Sequence, residues 1–457
     1  MIWAASPLYA QDFGDDFAGE FDSASPATGG ATGLNWSGSL TWEQGGHFGV
    51  PSANPRQWVL DQTRFRMKTQ ESTDMGKINV NLDFVQDGVR KSSYLDVREA
   101  KITTTPFSWL DIAIGKQVNT WGVGDMVFIN DLFPKNWMGM FLGRDMEFMK
   151  DPANSVRTSA YMGPVTVELV GHPQFAPDTT PNGCVFAVYN PASMLDSSKP
   201  VLASNASACG ADHAPELKDG QYKNGEFAGR ISMKLGGYDL AAYGYSGFYK
   251  NPKGMTFDAT TGSLTPRYPR LSASGASLEG QLGPGIVSME AGRYLSLEDR
   301  KGLDPLTENS MVKSVVGYRM DMTASLSLGA QVYQEQMENY SQYEQGILGM
   351  YQSMGLSSAQ AASQPGYLYR KEEVQRTYTL RATVKAQQET LWVSFFGYQR
   401  PQDRDSYVKL DITKNLSTKF KVAFGANVFD GNKNYQDREF GMLANEDNAY
   451  LRVQYNY

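Results

Sequence analysis

Three histidines and two cysteines are all the imidazole and thiol in 457 residues, which bounds most metal and nucleophilic chemistry at once. His47, His172 and His213 lie far apart, and Cys184 and Cys209 do not form the closely spaced Cys/His sets that hold structural zinc. A Ser/His pair could hydrolyse a lipid ester, and His172 ends an alternating segment where a neighbouring serine would be needed. No spacing marks such a serine, so no catalytic residue is assigned and no enzyme is expected. Asp430, Asn432, Asn434 and Asp437 imitate a calcium loop loosely, but glycine at the sixth position and glutamate at the twelfth are missing. Neither a metal nor a cofactor is expected. Cys184 and Cys209 share the polar stretch from His172 to Gly225, and in an oxidising compartment they read as a disulfide contributing about 3 kcal/mol.

The remaining reactive groups are charges, and they recur at every second position. Arg64, Arg66, Lys68, Arg230, Lys234, Lys313, Arg319, Arg381, Lys385, Lys409, Lys419, Lys421 and Arg452 alternate with apolar residues. Asp83, Asp111, Glu168, Glu279, Glu290, Asp321 and Asp411 share their face. Positive groups outnumber negative ones on that face. The chemistry such a surface can do is to attract anions, with Arg64, Arg66 and Lys68 as a ladder on one strand. The bland alternative is that these bases pair with interior acids and tyrosines and select nothing.

Alternation of period two requires strands. Ile78, Val80, Leu82 and Phe84 alternate with Asn79, Asn81 and Asp83, and Phe420 to Val428 repeats the pattern. Tight links are expected at Thr73 to Gly76, Pro106 to Ser108, Met162 to Pro164, Gly236-Gly237, Leu282 to Gly285, Thr323-Ala324, Gln387 to Thr390 and Lys414 to Ser417. Long links separate them, above all Trp121 to Asp151, His172 to Gly225 and Asn339 to Arg370. Short periplasmic turns alternating with long outer loops mark a transmembrane barrel. The reading is an all-β, antiparallel up-and-down transmembrane β-barrel of about 18 strands over residues 34–457, with 16 as the alternative if Tyr238 to Tyr249 and Leu271 to Glu279 are not strands.

Composition excludes the other classes. Forty-two Lys+Arg against 49 Asp+Glu gives −7, which argues against a nucleic-acid binder. A mean hydropathy of −0.43 accompanies no apolar run near the ~18 residues of a spanning helix. A β-sandwich would bury the charged faces, and no propeller-length repeat is present. Aromatics gather at strand ends, as in interfacial girdles, and the chain closes on Leu451, Val453, Tyr455 and Tyr457, which resembles the assembly signal of Gram-negative outer-membrane barrels. Residues 1–10 read as a residual signal peptide and 11–33 as a flexible acidic periplasmic lead.

Arg98-Glu99-Ala100, Gly115-Lys116-Gln117, Trp121-Gly122, Asp125, Asp131 and Pro134 resemble a motif of large proteobacterial outer-membrane barrels of unknown function. That family is similar to porin-like and alginate-export barrels and is often found beside exporters. The motif covers Arg98 to Trp137, and Val123-Gly124 departs from it. The resemblance implies a bacterial outer-membrane location, contact with outer-membrane lipid and lipopolysaccharide, insertion by the barrel assembly machinery, and a periplasmic exporter as a partner.

Trp121 to Asp151 is too rich in aromatics for an exposed loop, so it is expected to fold into the lumen as a constriction carrying Trp121, Asp125, Asp131, Trp137 and Arg144. A lid packed on neighbouring outer loops is the alternative. Strict alternation after Ile112 and Ile114 would turn Lys116 to lipid, so a bulge near Gly115 is expected to re-aim it inward. Arg293 poses the same problem, and the faces of Arg98, Glu99 and Lys101 stay open. Gln342 to Ala362 reads as a short amphipathic helix packing Ile347, Leu348, Met350, Tyr351 and Met354. The function this suggests is passive passage of small solutes or an acidic polymer through a basic, loop-narrowed lumen; a loop-sealed structural or adhesive barrel, or an exporter's outer-membrane partner, is the alternative.

Overall fold

Each alternating segment forms a strand of one closed antiparallel sheet in the computed structural model, which describes residues 35–49, 57–190, 202–204, 224–258, 263–353, 355, 357, 359–360, 371–431 and 440–457. The expected leader at 1–10 and lead at 11–33, together with Cys209, His213, Met354, Asn432, Asn434 and Asp437, lie outside the described residues. The 18 strands of the barrel are β1 Trp36–His47, β2 Trp58–Thr73, β3 Gly76–Asp87, β4 Ser92–Phe107, β5 Leu110–Gln117 and β6 Ala153–Met162, followed by β7 Val165–His172, β8 Glu226–Leu235, β9 Tyr238–Phe248, β10 Arg270–Leu282, β11 Gly285–Ser296 and β12 Met311–Thr323, and then β13 Leu326–Met337, β14 Val374–Ala386, β15 Leu391–Arg400, β16 Asp405–Asn415, β17 Phe420–Asp430 and β18 Asn448–Asn456. Neighbours in sequence pair as hairpins, and β1 pairs with β18 from Ser39 opposite Asn456 to His47 opposite Asn448, which closes the ring. Closure leaves no edge, the condition for placing strands in lipid.

All the tight links expected from sequence are turns at one end. At one of them Gly236 and Gly237 take φ of +60° and +87°, the left-handed pair that a two-residue hairpin loop requires. The doubtful segments around Tyr238 and Leu271 are full strands paired to each other over eleven positions, Tyr238–Gly280 to Phe248–Arg270.

Burial separates the two faces. Leu40, Phe65, Phe84 and Leu95 line up across β1 to β4 and are exposed large hydrophobics, the lipid-facing belt. Trp36, Phe107, Trp109, Tyr161, Phe420, Tyr455 and Tyr457 gird its tight-turn end. A closed barrel with such a belt belongs in the bacterial outer membrane, its short turns periplasmic.

Between β5 and β6 runs the segment 118–152, which carries helix α1 Trp137–Phe141 and a 3-10 turn Met146–Met149. The Asn136 side chain caps α1 by accepting from Gly139 N at 2.6 Å. Helix α2, Tyr340–Ser353, starts two residues before the expected stretch, overlaps its first part and buries Tyr343, Ile347 and Tyr351. Leu348 is exposed rather than packed, because it lies on the flank of the stripe that Tyr343, Ile347 and Tyr351 form at i, i+4, i+8.

Candidate functional site: the barrel interior

Two apolar anchorages hold segment 118–152 against two separate arcs of the wall. Trp121, Val127, Ile129 and Phe133 pack with Tyr243, Tyr245, Leu271, Tyr294 and Tyr333, residues of β9 to β13. Met138, Met140, Phe141, Leu142 and Met149 pack with Leu60, Phe396, Tyr407 and Phe429 of β2 and β15 to β17. A segment that touches both arcs crosses the interior. The aromatics that made an exposed loop implausible are the ones that seat it: Trp121 meets Phe133 edge-on at 4.9 Å, and Phe141 meets Tyr407 and Phe429 edge-on at 5.4 Å.

Polar contacts complete the seating. Glu290, 3% exposed on the inner face of β11, accepts from Asn130 N at 2.5 Å and Val123 N at 3.0 Å. Asp125 takes a two-pronged contact from Arg381, with Nε at 2.5 Å and Nη2 at 2.7 Å. Asp131 pairs with Lys135 at 2.9 Å, and Trp137 Nε1 donates to Asp178 at 2.9 Å. Arg144 donates to Gln62 at 2.6 Å. Lys409 donates to the Met140 carbonyl at 3.2 Å, and Arg452 donates to the Gly143 carbonyl at 2.8 Å.

Every residue assigned to the constriction therefore lies in this seated segment. Burial pushes the Asp145 carboxyl up, but Lys421, at 3.1 Å, and Arg452 overcome it and hold the group well below the usual carboxylate range. Burial raises Asp178 instead, against the pull of Lys135.

The arginine ladder is found as read, and it is paired. Arg64 Nη1 donates to Asp83 at 2.8 Å and Asp96 at 3.2 Å, while its Nε and Nη2 have no hydrogen-bond partner. Arg66 grips Asp83 through Nε and Nη2 and donates from Nη1 to both Glu147 oxygens at 2.6 and 2.8 Å. Lys68 is exposed on the same face, past the reach of the segment. Arg230 pairs with Glu168 at 3.2 Å, Arg319 with Glu279 at 3.3 Å, and Lys234 with Asp239 at 3.5 Å. Lys385 lies at the periplasmic mouth with its ammonium 4.3 Å from the Trp392 ring centroid.

Two assigned lining residues leave the set. The β5 register runs without a shift through Gly115, which faces Lys101 and Ser155, so Lys116 keeps the outward parity of Ile112 and Ile114. Being next to the last residue of β5, it sits near the interface, where an outward lysine costs about 0–1 kcal/mol. Lys419 belongs to the turn before β17 rather than to the wall, 5.9 Å from the ring of Tyr455, whose strand partner is Phe420.

The bulge is one strand earlier. Opposite Asn81 and Leu82 the β4 register slips from Glu99 to Val97, leaving Arg98 as the extra residue. That slip turns Asp96, Arg98, Glu99 and Lys101 all inward, settling the faces alternation left open. Arg293 stays outward and pairs with Glu338 at 2.8 Å near the outer rim.

Interior acids are more numerous than the parity list held. Glu43, Asp87 and Glu226 are buried, and Glu335 pairs with Lys313 at 2.9 Å. Alternation could have placed both Glu43, inside β1 next to outward Trp42, and Glu226, which opens β8 next to outward Phe227. His172 is buried on the inner side, its ring 5.8 Å from Phe133, so it does not face lipid. Cys184 is buried in the cluster around Phe186.

No family model matches the sequence, and no curated protein matches it. The fold does have solved counterparts. The Pseudomonas aeruginosa outer-membrane protein OccD3 (OpdP) is similar over 94% of this chain and 93% of its own, at 10% identity and a TM-score of 0.50. OccK5 (OpdH) of the same organism is similar over 93% and 97%, at 9% identity and a TM-score of 0.48. A mutant of the Rh. blastica porin is similar over 93% and 100%, at 14% identity and a TM-score of 0.39.

Proposed function

We propose that this barrel is a porin-like channel through which small anionic solutes, or an acidic polymer, pass by diffusion, with segment 118–152 as its constriction. The observation that carries the reading is the segment's course from one arc of the wall to another inside a closed barrel, with Lys68 and Lys385 left on the inner face beyond it. Low-dielectric walls concentrate the field of such bases, which favours anions. Outer-membrane lipid and lipopolysaccharide surround it, and the barrel assembly machinery inserts it. The family resemblance rests on the motif from Arg98 to Trp137 alone.

A second reading is favoured by the double apolar anchorage, which fills much of one level of the lumen: a sealed structural barrel, or one opened by a periplasmic exporter. Single-channel recording of the purified protein in a planar bilayer under a KCl gradient separates the two. A stable conductance with an anion-selective reversal potential, reduced in Lys68→Ala plus Lys385→Ala, supports the channel. A folded barrel that stays silent supports the sealed form.

A further inference from the structure

One short turn lies against a cluster of three wall arginines. The ring of Phe148 lies under three guanidinium groups, with the central carbons of Arg64, Arg66 and Arg98 at 4.5, 5.1 and 5.1 Å from its centroid. The preceding residue, Glu147, sets both carboxylate oxygens on Arg66 Nη1. Adjacent residues thus present a carboxylate and a benzene ring together to one arginine triad. Their bearer is the four-residue 3-10 turn Met146–Met149, an element with little stability of its own.

The wall beneath is not satisfied by its own acids. Asp83 and Asp96 are the wall carboxylates that the Arg64–Arg66 pair reaches, and Arg98 donates mainly to loop oxygens, the Lys150 carbonyl at 2.7 Å and Asp151 at 3.3 Å. Arg64, 2% exposed, keeps its Nε and Nη2 edge without a partner, the side-on fork that matches a carboxylate. Beside the turn lies a small recess of about 20 Å³ bounded by Arg66, Glu147, Phe148 and Lys421 and floored by Ser39 and Thr41.

We propose that the Glu147–Phe148 pair is an internal stand-in for an aromatic carboxylate, and that such a solute binds the Arg64–Arg66–Arg98 triad by displacing the turn. Its carboxylate takes the place of Glu147 on Arg66 and reaches the open edge of Arg64. Its ring takes the place of Phe148 among the guanidinium groups, where desolvated cation–π contacts are strongest. An aliphatic acid replaces only half of the stand-in, and a neutral aromatic only the other half. The inference rests on the channel reading and names the class of solute at that site.

The test is isothermal titration of the detergent-solubilised full chain with sodium benzoate, sodium acetate and benzamide. Removing the stand-in while keeping the triad, in Glu147→Ala plus Phe148→Ala, is expected to tighten benzoate at least tenfold, since less of the protein is held in the occupied form. Acetate and benzamide are expected to change less than threefold. Unchanged benzoate affinity, or an equal gain for acetate, overturns the proposal. If the double variant does not assemble, Glu147→Gln is read the same way, with about a threefold gain for benzoate expected and no gain overturning it. Bilayer recording of the same preparations keeps the two readings apart: a conducting protein indifferent to benzoate sinks the solute class, and a silent protein that binds benzoate sinks the channel.

Discussion

The two ends of the interior segment are seated by different physics. From Trp121 to Phe133 it is held mainly by aromatic burial against β9 to β13 and by Glu290, which collects two backbone donors, with one ion pair from Asp125 to Arg381. From Asp145 to Asp151 carboxylates laid on Lys421, Arg66 and Arg98 add to the burial of Phe148 and Met149. Burial of apolar surface is indifferent to pH and little affected by salt, whereas ion pairs respond to pH directly. The comparison teaches where such a segment can move: the acidic end is the releasable one, and the aromatic end is the hinge.

Glu290→Ala should break the aromatic end, and it is the largest effect expected. The substitution leaves the N–H groups of Val123 and Asn130 without their acceptor in a dry interior, at about 1–3 kcal/mol each. Thermal unfolding should occur at lower temperature, and the conductance in bilayers should rise several-fold as the hinge loosens. A variant with wild-type melting and wild-type conductance would show that aromatic packing alone holds this end.

Gly143→Ala should break the boundary between the acidic end and α1, with a smaller effect of about 2 kcal/mol. Gly143 has φ of +81°, and a Cβ built there would lie 1.9 Å from Cδ1 of Tyr450, a ring buried on the wall. The left-handed backbone costs a non-glycine residue about 1–2 kcal/mol before any clash. Because the strain falls beside Arg144 and Asp145, limited proteolysis should cut between 143 and 151 in the variant and not near Trp121. Cleavage at both ends would mean that the segment moves as one body and that the contrast between its ends is false.

The barrel itself was legible because period-two alternation is a local property and the tight turns carry it intact from strand to strand. Phe65, Phe84 and Leu95 face lipid for the same reason that they alternate with Arg64, Asp83 and Asp96. The course of 118–152 was legible in kind, from its excess of aromatics, but its partners were not. Which wall residue meets Asp125 or Glu147 depends on contacts some 256 and 81 positions away in the chain, which no spacing encodes. The bulge was misplaced for a related reason. One extra residue in β4 has no signature of its own, and glycine at 115 drew it to the wrong strand, although Gly115 has φ of +135° within a register that is continuous from Lys116 opposite Ala100 to Ile112 opposite Thr104. Counting bases by parity also overstated the positive lumen, since wall acids such as Glu43 and Glu335 were left out of the count and others, Asp125 and Glu147, come from the inward segment.

The smallest effect expected separates the ends by pH. Asp145 has a folded pKa below its unfolded value near 3.9, so its contribution to stability is complete above about pH 4 and is lost as the pH falls through the folded value. Asp178 behaves in the opposite sense. Burial raises its folded pKa, so its contribution is greatest below about pH 4 and declines as the pH rises through the folded value. It accepts from Lys135 N and Trp137 Nε1, both at 2.9 Å, and so acts near the aromatic end. Acidification from pH 5 to pH 3 should therefore raise amide hydrogen exchange, corrected for the intrinsic rate, in residues 144–151 while leaving 121–137 unchanged or slower. In Asp145→Asn the rise at 144–151 should be largely lost, because the group that titrates is gone. A uniform rise along 118–152, or a rise that survives the substitution, would place the acid response elsewhere and remove charge as the distinguishing hold on that end.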